Sequence, residues 1–176
     1  RIKQGNPLDV STMIGAQAST DQMEKILSYI DIGKKEGAEL LLGGEACSME
    51  GDLKGGYYVK PTIFAGSNRM RIFQEEIFGP VVAMIPFDSV EQAASIADAT
   101  EFGLAAGVWT RDIGKAHSLA ARLRAGTVWI NTYKQSSISS PCGGFKDSGL
   151  GREKGVDGLR LYGQVKSMYL GLHDAP

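Results

Sequence analysis

Two adjacent carboxylates, Glu75 and Glu76, precede an isoleucine, a phenylalanine and a Gly-Pro turn in the stretch QEEIFGPVV. In an extended stretch, successive side chains point to opposite sides, so only one of these carboxylates faces a given cleft. Glu76 and Phe78 lie on the same side. There, an ionised carboxylate accepts hydrogen bonds from a vicinal diol such as a ribose, and a phenyl ring packs against a flat ring. From these residues alone, a surface carboxylate beside a core phenylalanine is the more common arrangement, and both alternatives stay open.

The thiol of Cys142 is a second candidate for chemistry, within the stretch PCGGFKDSGLGREKG. A nucleophilic cysteine needs a base or a positive dipole to lower the pKa of its thiol, and no such neighbour is evident in the sequence. We therefore expect Cys142 to line a pocket rather than to attack a substrate. The glycines that follow it are spaced GxGxxxG and precede no phosphate-loop lysine, so they indicate turns rather than an unrelated nucleotide-binding domain.

The composition excludes several other classes of function. With 19 basic and 20 acidic residues, the chain has a formal net charge of −1 and no basic field for nucleic acid or an anionic membrane. The two cysteines lack a CxxC spacing and the two histidines lack metal-like neighbours, so no metal site is predicted. No apolar stretch approaches the roughly 20 residues of a membrane span, and no leader opens the chain. We expect a cytoplasmic or organelle-matrix protein.

Three helices are predicted from capping residues and from apolar residues at helical spacing. Each begins at a serine, threonine or aspartate, and two of them end at a glycine. The first runs from Ser19 or Thr20 to Gly37, the second begins at Ser89, and the third runs from Asp112 to Gly126.

Six short apolar runs are typical of strands, and Gly-rich loops cover residues 43–56 and 143–158. From Val81 to Asn131 strands alternate with helices, which favours crossover connections and parallel pairing. We therefore predict an α/β fold with a mainly parallel sheet and flanking helices, in which ligands bind beyond the carboxyl ends of the strands. The predicted strands span residues 39–42, 57–64, 81–87, 105–110, 127–131 and 165–170.

Seven motifs, in order along nearly all of the chain, resemble the C-terminal part of NAD(P)-dependent aldehyde dehydrogenases. They are GNPLD, KILSYIDIGKKEGAELLLGG, GYYVKPTIF, QEEIFGPVV, FGLAAGVWTRD, LRAGTVWIN and GGFKDSGLGRE. The resemblance implies that residues 1–163 form the C-terminal portion of the catalytic domain. It also implies that residues 164–172 form an oligomerisation strand, which joins a partner subunit in a homo-oligomer, a dimer or a tetramer.

The resemblance also assigns cofactor contacts to five residues. The family glutamate that matches Glu76 binds the hydroxyls of the nicotinamide ribose. Phe78 and Leu104 match residues that border the nicotinamide, and Gln22 and Lys25 match polar contacts to the adenosine ribose. The resemblance implies NAD or NADP as the cofactor. The motifs do not distinguish the two, because the residue that does so in the family belongs to a domain outside them.

Ser136 and Cys142 match the loop that shapes the aldehyde tunnel in this family. Most members have phenylalanine where Cys142 stands, and the preceding QSSISS is small and polar where aromatic residues are frequent. We therefore expect a wider or more polar aldehyde pocket than an aromatic-lined one, and a substrate other than a simple aliphatic aldehyde.

Family members oxidise an aldehyde to a carboxylic acid through a cysteine thioester, which a glutamate base then helps to hydrolyse. In the family, both residues and the Rossmann domain precede the GNPLD motif. We therefore expect no catalytic residue within this chain and no activity from the chain alone, since nucleophile, base and oxyanion donor are lost together. The alternative is a truncated, non-catalytic paralogue that acts as an interaction or assembly module.

Overall fold

The computed structural model describes residues 2–172, which form two compact units, one up to Asp88 and one from Ser89. In the first unit, helix α1 spans Thr20–Lys35, as the capping pattern predicts. The Ser19 side chain accepts a hydrogen bond from the Gln22 N–H at 3.1 Å and so satisfies one of the unpaired donors of the first turn. Gly37, with φ of 85°, takes the left-handed conformation that ends many helices.

The first unit contains a three-stranded sheet in the order β1-β4-β5 and a separate two-stranded sheet of β2 and β3. Strands β4 and β5 pair in parallel, whereas β1 and β4 are antiparallel, as are β2 and β3. A single strand was expected over 57–64, but Pro61, which has no N–H to donate, lies between two shorter strands. The elements are β1 (Glu39–Leu42), β2 (Ala46–Cys47), β3 (Tyr58–Val59), β4 (Thr62–Ala65), α2 (Arg71–Gln74) and β5 (Val81–Met84), with a 3-10 turn at Gly51–Leu53.

The core of the first unit forms where α1 packs against the strands and against α2. Glu36, directly after α1, accepts a hydrogen bond from the Arg71 N–H at 2.8 Å and so caps the start of α2. A Cβ on Gly33 would lie 2.9 Å from Ile72 Cδ1, so the two helices approach closely at this glycine. The buried cluster comprises Ile26, Ile30, Ala38, Val59, Phe64, Ile72 and Ile77.

The second unit contains one parallel and one antiparallel pair of strands among the described residues. Strands β7 and β8 are parallel with α4 between them in the chain, and β6 pairs antiparallel with β9. Helix α4 ends at Arg122, before the expected Gly126, because Leu123 already has an extended backbone. The elements are α3 (Val90–Asp98), β6 (Phe102–Gly103), β7 (Ala105–Val108), α4 (Ile113–Arg122), β8 (Thr127–Ile130), β9 (Phe145–Lys146) and α5 (Gly155–Leu161).

The α/β class is therefore confirmed, but the expectation of a mainly parallel sheet is not confirmed, because three of the five strand pairs in the described residues are antiparallel. Parallel pairs occur where a helix connects the strands. The Gly-rich loops 43–56 and 143–158 instead contain β2 and β9, since flexible loops allow the chain to turn back and pair antiparallel.

Residues 164–172 carry no strand in the described chain, contrary to the strand predicted at 165–170. The apolar side chains of Val165 and Tyr169 are exposed there. A strand exists only where its backbone pairs with a neighbour, and this segment finds none within residues 2–172. Its role in oligomerisation stays a prediction. No helix in the described part of the chain is both long and apolar enough to cross a membrane.

Candidate functional site

The segment from Glu75 to Phe78 follows α2 and belongs to no helix or strand, and its side chains alternate in burial. Ile77 is buried in the core with 8% exposure, whereas Phe78 is 72% exposed. Glu76 is also exposed, and it forms no hydrogen bond or ion pair with any of residues 2–172. Phe78 is therefore not a core residue of this unit. Glu76 and Phe78 are thus both exposed, and Ile77 between them is buried.

Glu75, in contrast, is bound within the protein. Its carboxylate accepts two hydrogen bonds from the Arg71 guanidinium, at 2.7 Å and 2.8 Å, and one from the Tyr29 hydroxyl at 2.7 Å. The bonds from Arg71, and then the bond from Tyr29, hold the pKa of the Glu75 carboxyl at about 2. The bond to Glu75 raises the pKa of Tyr29. Glu75 thus anchors the segment, and its neighbour Glu76 is left available for a ligand.

Gln22 supports the same segment from the first turn of α1. Its side-chain nitrogen donates to the Phe78 carbonyl oxygen at 2.7 Å and lies 3.4 Å from that of Ile77. Lys25, one turn further along α1, is exposed, and its ammonium lies 5.9 Å from the centroid of the Tyr29 ring. The structure therefore brings Gln22 together with Ile77 and Phe78, and it places Lys25 beside the Tyr29 ring.

The backbone at Phe78 and Gly79 is constrained. Phe78 has a φ of 55°, a left-handed conformation that costs on the order of 1–3 kcal/mol for a residue with a side chain. A Cβ on Gly79 would lie 2.5 Å from two side-chain carbons of Ile26, so this turn can approach α1 only with glycine. Such strain persists where surrounding contacts over-determine the conformation, and those contacts come from Gln22 and Ile26 here.

In the second unit, Leu104 and Cys142 line the same open cavity of about 810 Å³. The Cys142 backbone pairs antiparallel with Glu153 through two hydrogen bonds, of 2.8 Å and 2.7 Å. Its side chain is half-buried in the wall. Most of the cavity wall comes from the Gly-rich loop 148–155 and from α5.

Ser136 is not among the residues of this cavity wall. Its hydroxyl accepts a hydrogen bond from the Lys154 ammonium at 3.3 Å, and its side chain is exposed. Lys154 directly precedes α5, and the Gly155 N–H donates to the Ile138 carbonyl oxygen at 3.1 Å. The polar loop is thus attached to two residues of the cavity wall at the start of α5, although Ser136 itself does not line the cavity.

Tyr29 and Arg71 were missed as contributors to the site. Arg71 lies four residues before Glu75, a spacing at which opposite charges pair on a helix, and this was the one available signal. Helix α2 was not predicted, so the spacing of Arg71 and Glu75 could not be interpreted as a pair on one helix. Tyr29 is 46 residues from Glu75 in sequence, and no local pattern indicates that contact.

The outward face of the Glu75–Phe78 segment fits a ligand that combines a diol with a flat ring. The free Glu76 carboxylate provides hydrogen-bond acceptors, and the Phe78 ring, two residues on, provides an exposed apolar surface. The described residues contain no cluster of three or more side chains able to hold a metal ion.

Comparisons with known proteins agree over nearly the whole chain. The model of the aldehyde dehydrogenase family matches residues 1–168. The fluoroacetaldehyde dehydrogenase of Streptantibioticus cattleyicolor is 57% identical over 169 residues, which are 96% of this chain and 33% of that protein. The chain thus spans about a third of the length of the curated relatives that it matches.

Solved structures have the same fold. The HpcC protein of Thermus thermophilus superposes with a TM-score of 0.90 at 43% identity, over 99% of this chain and 35% of that one. An aldehyde dehydrogenase of Mycobacterium tuberculosis, solved in complex with NAD+, has a TM-score of 0.87 at 40% identity. The match covers 99% of this chain and 36% of that one. Both likenesses include the Glu75–Phe78 segment, because they cover almost all of this chain.

Proposed function

The chain belongs to the aldehyde dehydrogenase family, and we propose that it is the C-terminal part of an enzyme that oxidises an aldehyde to a carboxylic acid with NAD or NADP. In this proposal the reaction proceeds through a cysteine thioester whose nucleophile lies outside these 176 residues. The length supports this division, since the chain spans about a third of its relatives. The fold supports NAD or NADP as the proposed cofactor, since a solved relative with this fold was crystallised in complex with NAD+.

One observation carries the proposal: Glu76 and Phe78, two residues apart, are both exposed, and Glu76 has no partner within residues 2–172. In the proposed roles, the Glu76 carboxylate accepts hydrogen bonds from the two hydroxyls of the nicotinamide ribose, and Phe78 contacts the nicotinamide ring. A bound nicotinamide supplies the hydride acceptor of the oxidation. Lys25, exposed on α1, contacts the adenosine ribose in this proposal.

The cavity of the second unit, whose wall includes Leu104 and Cys142, is the proposed aldehyde pocket. Cysteine is much smaller than phenylalanine, so the pocket accepts a bulkier aldehyde than an aromatic-lined pocket does. Ser136, in the loop attached to α5, gives the entrance a polar character. In this proposal residues 164–172 pair with a second subunit.

The isolated chain is proposed to be inactive. Covalent catalysis needs a thiolate, a base and a donor for the oxyanion in one site. The Cys142 thiol makes no hydrogen bond to any residue of the described range, so no base activates it there.

The test compares the purified chain with a full-length polypeptide that contains it, each mixed with NAD or NADP and a panel of aldehydes. We expect aldehyde-dependent NADH or NADPH formation from the full-length polypeptide and none from the chain alone. Turnover by the chain alone would show that the nucleophile lies within these residues. No turnover by any longer polypeptide would favour the non-catalytic assembly module.

A further inference from the structure

We propose that Gln22 is a positioning residue, whose side-chain nitrogen holds the Ile77 and Phe78 backbone and thereby sets the direction of Glu76 and Phe78. This inference rests on the proposed cofactor site. It differs from a direct cofactor contact, because the group that Gln22 binds is the protein's own backbone.

The Gln22 side chain does not bind the backbone of the nearby capping residue Ser19. Gln22 is three residues after the capping Ser19, where a glutamine commonly accepts a hydrogen bond from the backbone N–H of the cap. That bond is not formed in the described structure. The side chain instead reaches a carbonyl 56 residues away, with a distance of 2.7 Å to the Phe78 oxygen. The helix cap itself is complete, because the Gln22 N–H already binds the Ser19 hydroxyl.

The carbonyl that Gln22 binds belongs to the residue with the strained backbone. Phe78 has a φ of 55°, and the next residue, Gly79, is in close contact with Ile26 of the same helix. Two neighbouring points of one turn are therefore held against α1, one by a hydrogen bond and one by packing. Without the hydrogen bond, the Phe78–Gly79 peptide keeps only the packing of Gly79 against Ile26, so the Phe78 ring and the preceding Glu76 carboxylate lose one of the contacts that set their direction.

The two amide atoms of Gln22 allow the two roles to be separated. The nitrogen is the donor to the backbone, so only the oxygen remains to bind a cofactor hydroxyl. Gln22→Glu keeps an acceptor and removes the donors, whereas Gln22→Lys keeps donors and removes the acceptor. A glutamate near a helix N-terminus is also favourable for the helix, so Gln22→Glu does not weaken α1 itself.

The first experiment measures cofactor affinity in the full-length polypeptide by titration with NAD and by steady-state kinetics. We expect Gln22→Glu to raise the dissociation constant and the KM for NAD about tenfold, and Gln22→Lys to raise them less than about threefold, with the KM for the aldehyde unchanged. The reverse order, with Gln22→Lys the weaker binder, would identify a direct ribose contact and overturn the proposal.

A second experiment judges position independently of activity, with crystal structures of both variants without cofactor. We expect residues 76–79 to be displaced in Gln22→Glu and to keep their place in Gln22→Lys. An unchanged segment in Gln22→Glu would refute the positioning role, whereas absence of NAD binding by the unaltered protein would refute the proposed function instead. If Gln22→Glu does not fold, Gln22→Lys with full NAD affinity and an unmoved segment still supports the proposal, and a weakened affinity counts against it.

Discussion

Arg71 binds Glu75 with two parallel hydrogen bonds, from Nε to one carboxylate oxygen at 2.7 Å and from Nη2 to the other at 2.8 Å. The guanidinium carbon also lies 5.7 Å from the centroid of the Tyr29 ring, whose hydroxyl binds the same carboxylate. This paired geometry is the strong form of a charge-assisted hydrogen bond. It gives two consecutive glutamates different tasks, because Glu75 holds the segment and Glu76 stays free.

The stability contributed by Glu75 should depend on pH. The pKa of its carboxyl is about 2 in the folded chain and 4.5 without these contacts, so the folded state favours the ionised form. The contribution is therefore complete above about pH 4.5 and is lost as the pH falls toward about 2. We expect Glu75→Gln to lower the free energy of unfolding at neutral pH, with the difference from wild type shrinking over that interval.

Urea unfolding at a series of pH values measures this difference, and Glu76→Gln is the matched control. Glu76 is exposed and lacks a partner in the described chain, so its substitution should leave the unfolding free energy unchanged. An equal loss in Glu75→Gln at all pH values would contradict the ionic origin of the effect.

In the full-length polypeptide, Glu76→Gln should weaken the cofactor interaction without weakening the fold. A neutral amide is a poorer acceptor for two ribose hydroxyls than a carboxylate, so we expect the KM for NAD to rise about tenfold, in line with hydrogen bonds to charged groups. Glu24→Gln, at an exposed position of α1, is the control and should leave the KM unchanged. Equal kinetics for both variants would remove Glu76 from the cofactor site.

Phe78→Gly should separate stability from function. The ring is 72% exposed and the φ is 55°, so glycine loses little burial and relieves the left-handed strain. We expect a folded state that is as stable as wild type or more stable by about 1 kcal/mol, together with a higher KM for NAD. Phe78→Ala, which loses the ring and keeps the strain, should be less stable than Phe78→Gly. Calorimetric melting of the three proteins checks that order.

Two substitutions of Cys142 test its place in the cavity wall. Cys142→Ser, a change of similar size, should retain aldehyde oxidation in the full-length polypeptide, because the thiol is not the proposed nucleophile. Cys142→Phe should fill part of the cavity and reduce kcat/KM for bulky aldehydes more than for small ones. Complete loss of turnover in Cys142→Ser would instead identify this thiol as the nucleophile.

The predicted helices were local features, and they were largely correct. Ser19, Ser89 and Asp112 each cap a helix through a side chain that accepts a hydrogen bond from the residue three positions on. Such contacts depend on a few neighbouring residues, so a short pattern is sufficient to predict them. Strand pairing depends on distant partners, which is why the antiparallel pairs were missed and why residues 164–172 were assigned a strand that this chain alone does not form.

The candidate site likewise combines local features, which the sequence predicts, with contacts between distant residues, which it does not. From local alternation along an extended chain, the sequence predicted that Glu76 and Phe78 share a side, and the structure shows that both are exposed. Tertiary packing alone established that Tyr29 binds Glu75 and that the Gln22 amide binds the Phe78 carbonyl. Those contacts exist because the buried face of α1 packs in the core beside Ile77, which brings residues more than 40 positions apart within hydrogen-bond distance.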